Sequence, residues 1–272
     1  MKAMILAAGL GTRLRPLTDD RPKALVEVAG RTMLEITLLR LRSFGVTEFI
    51  VNLHHFADQV VQFLQSKNNF GLRIEISREE VLLDTGGGLK KAAWFFQENK
   101  SDQPFFLHNV DVLSDIDLAR MAEAHRATGA LATLAVQQRE SSRQLLFDEA
   151  DQLCGRRKRG AADEVVRTAG ALAPLAFSGI HVISPRFLTL MEEAGVFSII
   201  DTYLHVAGTG EKIQAFRVDD FYWRDLGKPE SIQQATSDFA TLARNFRNAA
   251  DPEEARGLGD KLGRVIFGGS RD

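Results

Sequence analysis

Short apolar runs alternate with segments of helical period along the first half of the chain. Ala3-Met4-Ile5-Leu6-Ala7, Glu48-Phe49-Ile50-Val51-Asn52-Leu53, Leu72-Arg73-Ile74-Glu75-Ile76, Pro104-Phe105-Phe106-Leu107-His108 and Leu131-Ala132-Thr133-Leu134-Ala135-Val136 have the length and content of strands. Between them, Leu34, Leu38 and Leu41 recur on one helical face, which Thr32 and Glu35 open as a capping box and which ends near Gly45. Val60, Val61, Phe63 and Leu64 suit a short helix, and further helices are predicted over about 89–98 and 117–128. Apolar strands separated by helices predict an α/β fold, a Rossmann-like, mostly parallel sheet flanked by helices on both faces. Ligands of such sheets bind beyond the carboxyl ends of the strands.

From about Gln137 the rhythm changes. Leu145-Leu146-Phe147 and the run from Leu175 to Ile183 read as strands around a polar excursion over 148–174. Within it, Gly155-Arg156-Arg157-Lys158-Arg159-Gly160 reads as a solvated basic turn. A helix near 185–193, a strand over 213–218, the segment Phe221-Tyr222-Trp223-Arg224-Asp225-Leu226-Gly227 and a helix from Pro229 to about Arg247 follow. The division expected is one domain over 1–247 and a C-terminal helical extension or tail over 248–272, charged and rich in glycine.

Composition adds exclusions. A chain of 272 residues with 44% hydrophobic content can bury a substantial core. Its net charge of −2 offers no basic field for nucleic acid. The single Cys154 excludes an internal disulfide. No apolar run approaches a membrane span, and the first run is too short for a signal-peptide core, so a soluble, cytoplasmic protein is expected. Whether it is a monomer or a homo-oligomer is left open.

The chemistry is concentrated where the first strand ends. Leu6-Ala7-Ala8-Gly9 and Gly11-Thr12-Arg13 are followed by Pro22-Lys23. Small residues let the backbone come close to a phosphate and turn its N–H groups toward it. Arg13 adds a forked cation and Lys23 a mobile point charge. The third glycine of the dinucleotide fingerprint is replaced by Leu14, and the Gly-Lys-Ser/Thr of the P-loop is absent. The loop is therefore expected to hold the polyphosphate of a nucleotide in another way.

From Leu6 to Thr18 and again at Pro22-Lys23, the stretch resembles the signature of the sugar-1-phosphate nucleotidyltransferases. The resemblance covers about residues 1–240 and is nearest to the N-acetylmuramate-1-phosphate uridylyltransferases, then the mannose-1-phosphate guanylyltransferases. It implies a nucleotidyltransferase, GT-A-like sheet with a small β excursion for the sugar. It also implies transfer of a nucleotidyl group from a nucleoside triphosphate to a sugar 1-phosphate, with release of pyrophosphate. Under it, Leu6, Ala7, Ala8, Gly9, Gly11, Thr12, Arg13 and Lys23 bind the nucleotide. Arg13 holds the departing pyrophosphate and Lys23 the α-phosphate. Asp111, in Asn109-Val110-Asp111, and Asp225, in Trp223-Arg224-Asp225-Leu226-Gly227, bind the catalytic Mg²⁺.

Asn109, Gly179 and Asp225 face the sugar in the same reading. Leu83-Asp84-Thr85-Gly86-Gly87-Gly88 is similar to the family's base-reading loop, with Asp84, Gly86 and Gly87 in the nucleotide site. Its glycines are expected to leave backbone N–H and C=O groups free to pair with the O4 and N3–H edge of uracil, so UTP is favoured. Val81-Leu82 stands where many relatives have Glu/Gln-Pro, and the family's Glu-Lys-Pro element is missing from 140–175. A GDP-mannose-type guanylyltransferase is the alternative. More distant rivals are a nucleotide-sugar-dependent glycosyltransferase, whose Asp-x-Asp is broken by Asp111-Val112-Leu113, and a silent nucleotide-sugar sensor. No Gly-x-Ser-x-Gly elbow is present, and His54-His55 lacks the companions of a metal site.

Overall fold

A computed structural model of the chain describes residues 1–98, 101–168 and 170–263. The 264–272 end of the expected tail lies outside the described residues. The first half runs β1 (Lys2–Leu6), β2 (Glu27–Val28), β3 (Arg31–Thr32), α1 (Met33–Ser43), β4 (Glu48–Leu53), α2 (Ala57–Ser66) and β5 (Arg73–Arg78). Then come α3 (Asp84–Lys91), α4 (Ala93–Gln97), β6 (Phe105–Asn109), β7 (Val112–Ser114), α5 (Leu118–Thr128) and β8 (Ala132–Gln137). The second half runs β9 (Arg143–Phe147), β10 (Leu153–Lys158), β11 (Glu164–Val165), β12 (Ala173–Ile183), α6 (Ile199–Gly208), β13 (Ile213–Arg217), β14 (Trp223–Asp225), α7 (Pro229–Asn248) and α8 (Pro252–Leu262).

The central sheet has the order β5-β4-β1-β6-β12-β8-β13, and every strand except β12 runs the same way. Alternation along the strands feeds two cores. Ala3 and Ile5 of β1 pack with Leu34, Leu38 and Leu41 of α1 and with Ile232, Ala235 and Phe239 of α7. Met4, between them, joins Leu89, Phe95, Tyr203 and Leu204 on the opposite face. The two-faced α/β sheet expected from the pattern is what forms. The capping box at α1 forms as well, with Glu35 N donating to Thr32 Oγ1 at 3.1 Å.

β12 is long enough to serve twice. Its Ala173–Leu175 end pairs with β9, so the meander β9-β10-β11 is hung on the same strand that pairs with β6. The basic run is accordingly corrected: Leu153–Lys158 is a strand, not a turn. Two of the run's four charges are paired, Arg156 with Glu164 at 2.7 Å and Arg157 with Asp163 at 2.7 Å. Three other expectations shift. The 89–98 helix begins earlier, at Asp84, and divides at Ala92 into α3 and α4. The helix near 185–193 is a short 3-10 turn over Pro185–Thr189, and α6 was not anticipated. In the C-terminal extension, α8 folds back on α7 and brings Gly259 against the ring of Phe246.

Candidate active site

Parallel strands deliver their carboxyl ends to one edge. Leu6 is in register with Asn52 on one side and Asn109 on the other, so three strand ends meet there. A cavity of about 450 Å³ opens over them, lined by Leu6, Ala8, Gly9, Lys23, Asn109 and Asp111, with Leu82, Asp84, Thr85 and Val196 on its far wall. The glycine-rich stretch is shaped as a phosphate loop requires. Gly11 adopts φ 66°, and Thr12–Leu14 forms a single 3-10 turn that carries Arg13 outward. The Thr18 hydroxyl donates to the Gly11 carbonyl at 2.9 Å and closes the loop.

Charged groups converge on this edge in two pairs. Lys23 Nζ donates to Asp111 Oδ2, and both side chains are largely shielded, at 13% and 16% exposure. Asp225 sits on β14, whose pairing with β7 sets it opposite Val112. Leu226 N donates to the Asp111 carbonyl at 2.8 Å, so the two aspartates hang from one backbone junction. Gly227 marks the second pair: a Cβ there would stand 2.6 Å from Arg13 Nη2 and 2.6 Å from Asp225 Oδ1. Gly227 N donates to that Oδ1 at 2.6 Å, leaving Oδ2 without a partner among the described residues. No group of three or more His, Cys, Asp or Glu side chains suited to a metal occurs among the described residues. Two carboxylates beside a phosphate loop are a donor set that suits Mg²⁺, which completes its octahedron with phosphate oxygens and water.

The side on which the sequence places the sugar is bordered by β12. Between Phe177 and His181 its register with β8 slips, and Gly179 there has φ 77°. A Cβ on Gly179 would lie 2.8 Å from Val112 Cγ2 and 3.0 Å from Asn109 Nδ2, so Gly179 and Asn109 are brought together. Trp223 Nε1 donates to the neighbouring Ser178 carbonyl at 2.8 Å.

The glycine run at α3 is used differently from the expectation. Gly86 N and Gly87 N both donate to the Phe197 carbonyl, at 3.0 and 3.3 Å, so they are not free for a base. The glycines are needed for close packing instead. A Cβ on Gly86 would meet the Phe197 ring at 2.4 Å, and one on Gly87 would meet the Gly195 carbonyl oxygen at 2.4 Å. Asp84 and Thr85 face the cavity from this loop, while Val81 is 63% exposed and turned away.

Comparison with known proteins agrees with this geometry. Residues 2–145 match the nucleotidyl transferase family. Over 238 residues the chain is 37% identical to the N-acetylmuramate alpha-1-phosphate uridylyltransferase of Caulobacter vibrioides, covering 84% of this chain and 93% of that protein. The chain belongs to the nucleotidyl transferase family. It is also 30% identical to the mannose-1-phosphate guanyltransferase of Aspergillus fumigatus, over 89% of this chain but 65% of that longer protein. A UDP-glucose pyrophosphorylase structure superposes with a TM-score of 0.70 at 15% identity, covering 88% of this chain and 98% of the other. Among the described residues, no helix is long and apolar enough to cross a membrane.

This nucleotidyl transferase also relies on residues that the sequence reading passed over. Asn52, buried at the end of β4, accepts from Ala7 N at 2.8 Å through Oδ1 and donates to Glu79 Oε1 at 2.7 Å through Nδ2. Glu79, also buried, accepts from Leu83 N at 3.0 Å through Oε2. One side-chain bridge thus ties the phosphate loop to the loop opening α3. A signal existed, since Asn52 is the one polar residue inside the run Phe49–Leu53. Behind the site, His108 is fully buried and its pKa is pushed down to about 4, because burial disfavours the imidazolium.

Proposed function

We propose that the protein transfers a uridylyl group from UTP to a sugar 1-phosphate in the cytoplasm, with N-acetylmuramate α-1-phosphate as the favoured acceptor. The observation that carries this reading is a cluster at the carboxyl edge of the sheet: Lys23 and Asp111 pair in the wall of the cavity, Leu226 N ties Asp225 to the Asp111 carbonyl, and Gly227 sits between Asp225 and Arg13. The similarity to the Caulobacter uridylyltransferase supports the choice of base and sugar.

In this reading the triphosphate lies along Ala7–Thr12, with Arg13 on the β- and γ-phosphates and Lys23 on the α-phosphate. Asp111 and Asp225 would hold Mg²⁺. Bound there, the cation neutralises phosphate charge and supports the geometry of displacement. An oxygen of the sugar phosphate forms a bond to the α-phosphorus, the bond to the bridging oxygen breaks, and pyrophosphate leaves with the electron pair. Such phosphoryl chemistry rests on positioning and charge neutralisation, so no covalent nucleophile is required. Lys23 has two further N–H donors beyond its bond to Asp111 with which to reach phosphate, and Asn109 and Gly179 border the acceptor.

The test is pyrophosphate release across four nucleoside triphosphates and a set of sugar 1-phosphates. The expected result is the highest kcat/KM with UTP and N-acetylmuramate 1-phosphate, and no turnover without a divalent cation. A higher kcat/KM for GTP would move the protein to the guanylyl-transferring branch, and no release with any pair would overturn the reading.

A further inference from the structure

Arg139 follows β8 at the same carboxyl edge as Asn109 and Asp111, and its charge is not balanced. Several partly shielded or exposed arginines of this half are matched to carboxylates, among them Arg156 to Glu164, Arg157 to Asp163 and Arg224 to Asp238. Arg139 has no carboxylate within ion-pairing distance among the described residues. Its guanidinium lies over the Trp223 ring, 4.1 Å from the centroid, and Nη2 donates to the Phe177 carbonyl at 2.8 Å. Its Nε is buried and has no partner. Burial lowers its pKa, partly offset by the field of Asp225. A half-buried guanidinium held by one neutral acceptor is costly unless something anionic completes it.

Its position indicates what that is. Phe177, its acceptor, ends the β8-paired stretch of β12 just before the slip at Ser178–Ile180. Trp223, its platform, is tied to Ser178 and is two residues from Asp225. Ser178 Oγ, on the residue next to Phe177, is also buried without a partner among the described residues. Ser178 adjoins Gly179, whose Cβ position is bounded by Val112 and Asn109.

We propose that Arg139 is a specificity-determining residue that receives an anionic group of the sugar 1-phosphate. The inference rests on the functional reading above and adds to it a residue and a ligand chemistry. A planar guanidinium with free donors matches a carboxylate or a phosphate equally well. Two sources offer that chemistry in N-acetylmuramate 1-phosphate, the lactyl carboxylate and the 1-phosphate.

The experiment measures steady-state kinetics of the parent, R139Q and R139M with UTP and either N-acetylmuramate 1-phosphate or N-acetylglucosamine 1-phosphate. Methionine keeps apolar cover on Trp223, so R139M stands in should R139Q fold poorly. The sugar-phosphate KM should rise about ten- to a hundredfold, the scale of one lost charge-assisted bond, while the UTP KM stays unchanged. A rise confined to the muramate substrate assigns the carboxylate; a rise for both assigns the 1-phosphate. R139K, which restores charge without the fork, should recover part of the loss. Unchanged sugar KM in a variant that melts like the parent overturns the role of Arg139 while leaving the functional reading intact. An equal rise in the UTP KM overturns it too, and an inactive parent removes both.

Discussion

Replacing Asn52 with Ala would strip the shared partner from two loops at once. Ala7 N, at a position 6% exposed, loses its acceptor, and Glu79 Oε1, on a residue 4% exposed, loses its donor. Leaving a buried group unpaired costs about 1–3 kcal/mol, so the pair amounts to about 2–6 kcal/mol. At about 2–4 °C per kcal/mol for a chain of this size, Tm should fall by about 4–24 °C. Glu79→Gln is a milder companion. It can keep an acceptor for Asn52 Nδ2 but turns an amide NH₂ toward Leu83 N, where two donors then face each other. Melting curves of the two single variants and the double variant close a cycle whose coupling should reach about 0.5–3 kcal/mol. The UTP KM should rise in Asn52→Ala, because the phosphate loop loses its anchor. An Asn52→Ala protein melting within about 2 °C of the parent, or strictly additive effects, would refute the bridge.

Other expectations are simpler to state. Asp111→Asn and Asp225→Asn should each lower kcat by about 10²–10³ at saturating Mg²⁺, the scale of one key electrostatic contact; near-parental turnover in Asp111→Asn would remove it from the site. Arg13→Ala should cripple turnover and leave Tm unchanged, since Arg13 itself is exposed while the buried Leu14 anchors the turn; a collapsed melt would make it structural. A chain ending at Arg247 should retain pyrophosphate release, because the grouped site residues all lie before α8. His108 and His181 are held neutral by burial, with pKa values near 4 and 3 against an ordinary 6.5. The unfolded chain therefore binds more protons below pH 6.5, so stability should fall as pH drops from about 6.5 toward 4 and be indifferent to these groups above 6.5. His108→Leu should flatten that decline in Tm; parallel curves would refute the assignment.

Much of the architecture could be read directly because its causes are local. β1 is apolar from Ala3 to Leu6 and is followed by small residues, so both its burial and the loop that follows were legible. The capping box predicted the start of α1, since the bond it describes joins residues three apart. Where distant segments decide, the reading faltered. α6 is nearly apolar all round, with Ile199, Tyr203, Leu204, Val206 and Ala207 buried, so it presents no helical stripe. β10 looked like a polar turn because Arg156 and Arg157 satisfy their charges with Asp201, Glu164 and Asp163, a pairing visible only in three dimensions. The glycines of α3 were singled out from the sequence, but as a surface for a base. What approaches them is the chain's own 195–199 segment, more than a hundred residues away in sequence.

The sharing of β12 between the central sheet and the meander has a consequence for how such a protein can change over generations. At one end the strand is held by β6 and β8, and its bulge sets Gly179 against Asn109. At the other end it merely supports β9, β10 and the outlying β11. The connection at 159–163 hangs from that outer end and faces solvent, so its length and charge can drift without moving the catalytic edge. A single strand thereby separates a part of the molecule free to diversify from a part that is not.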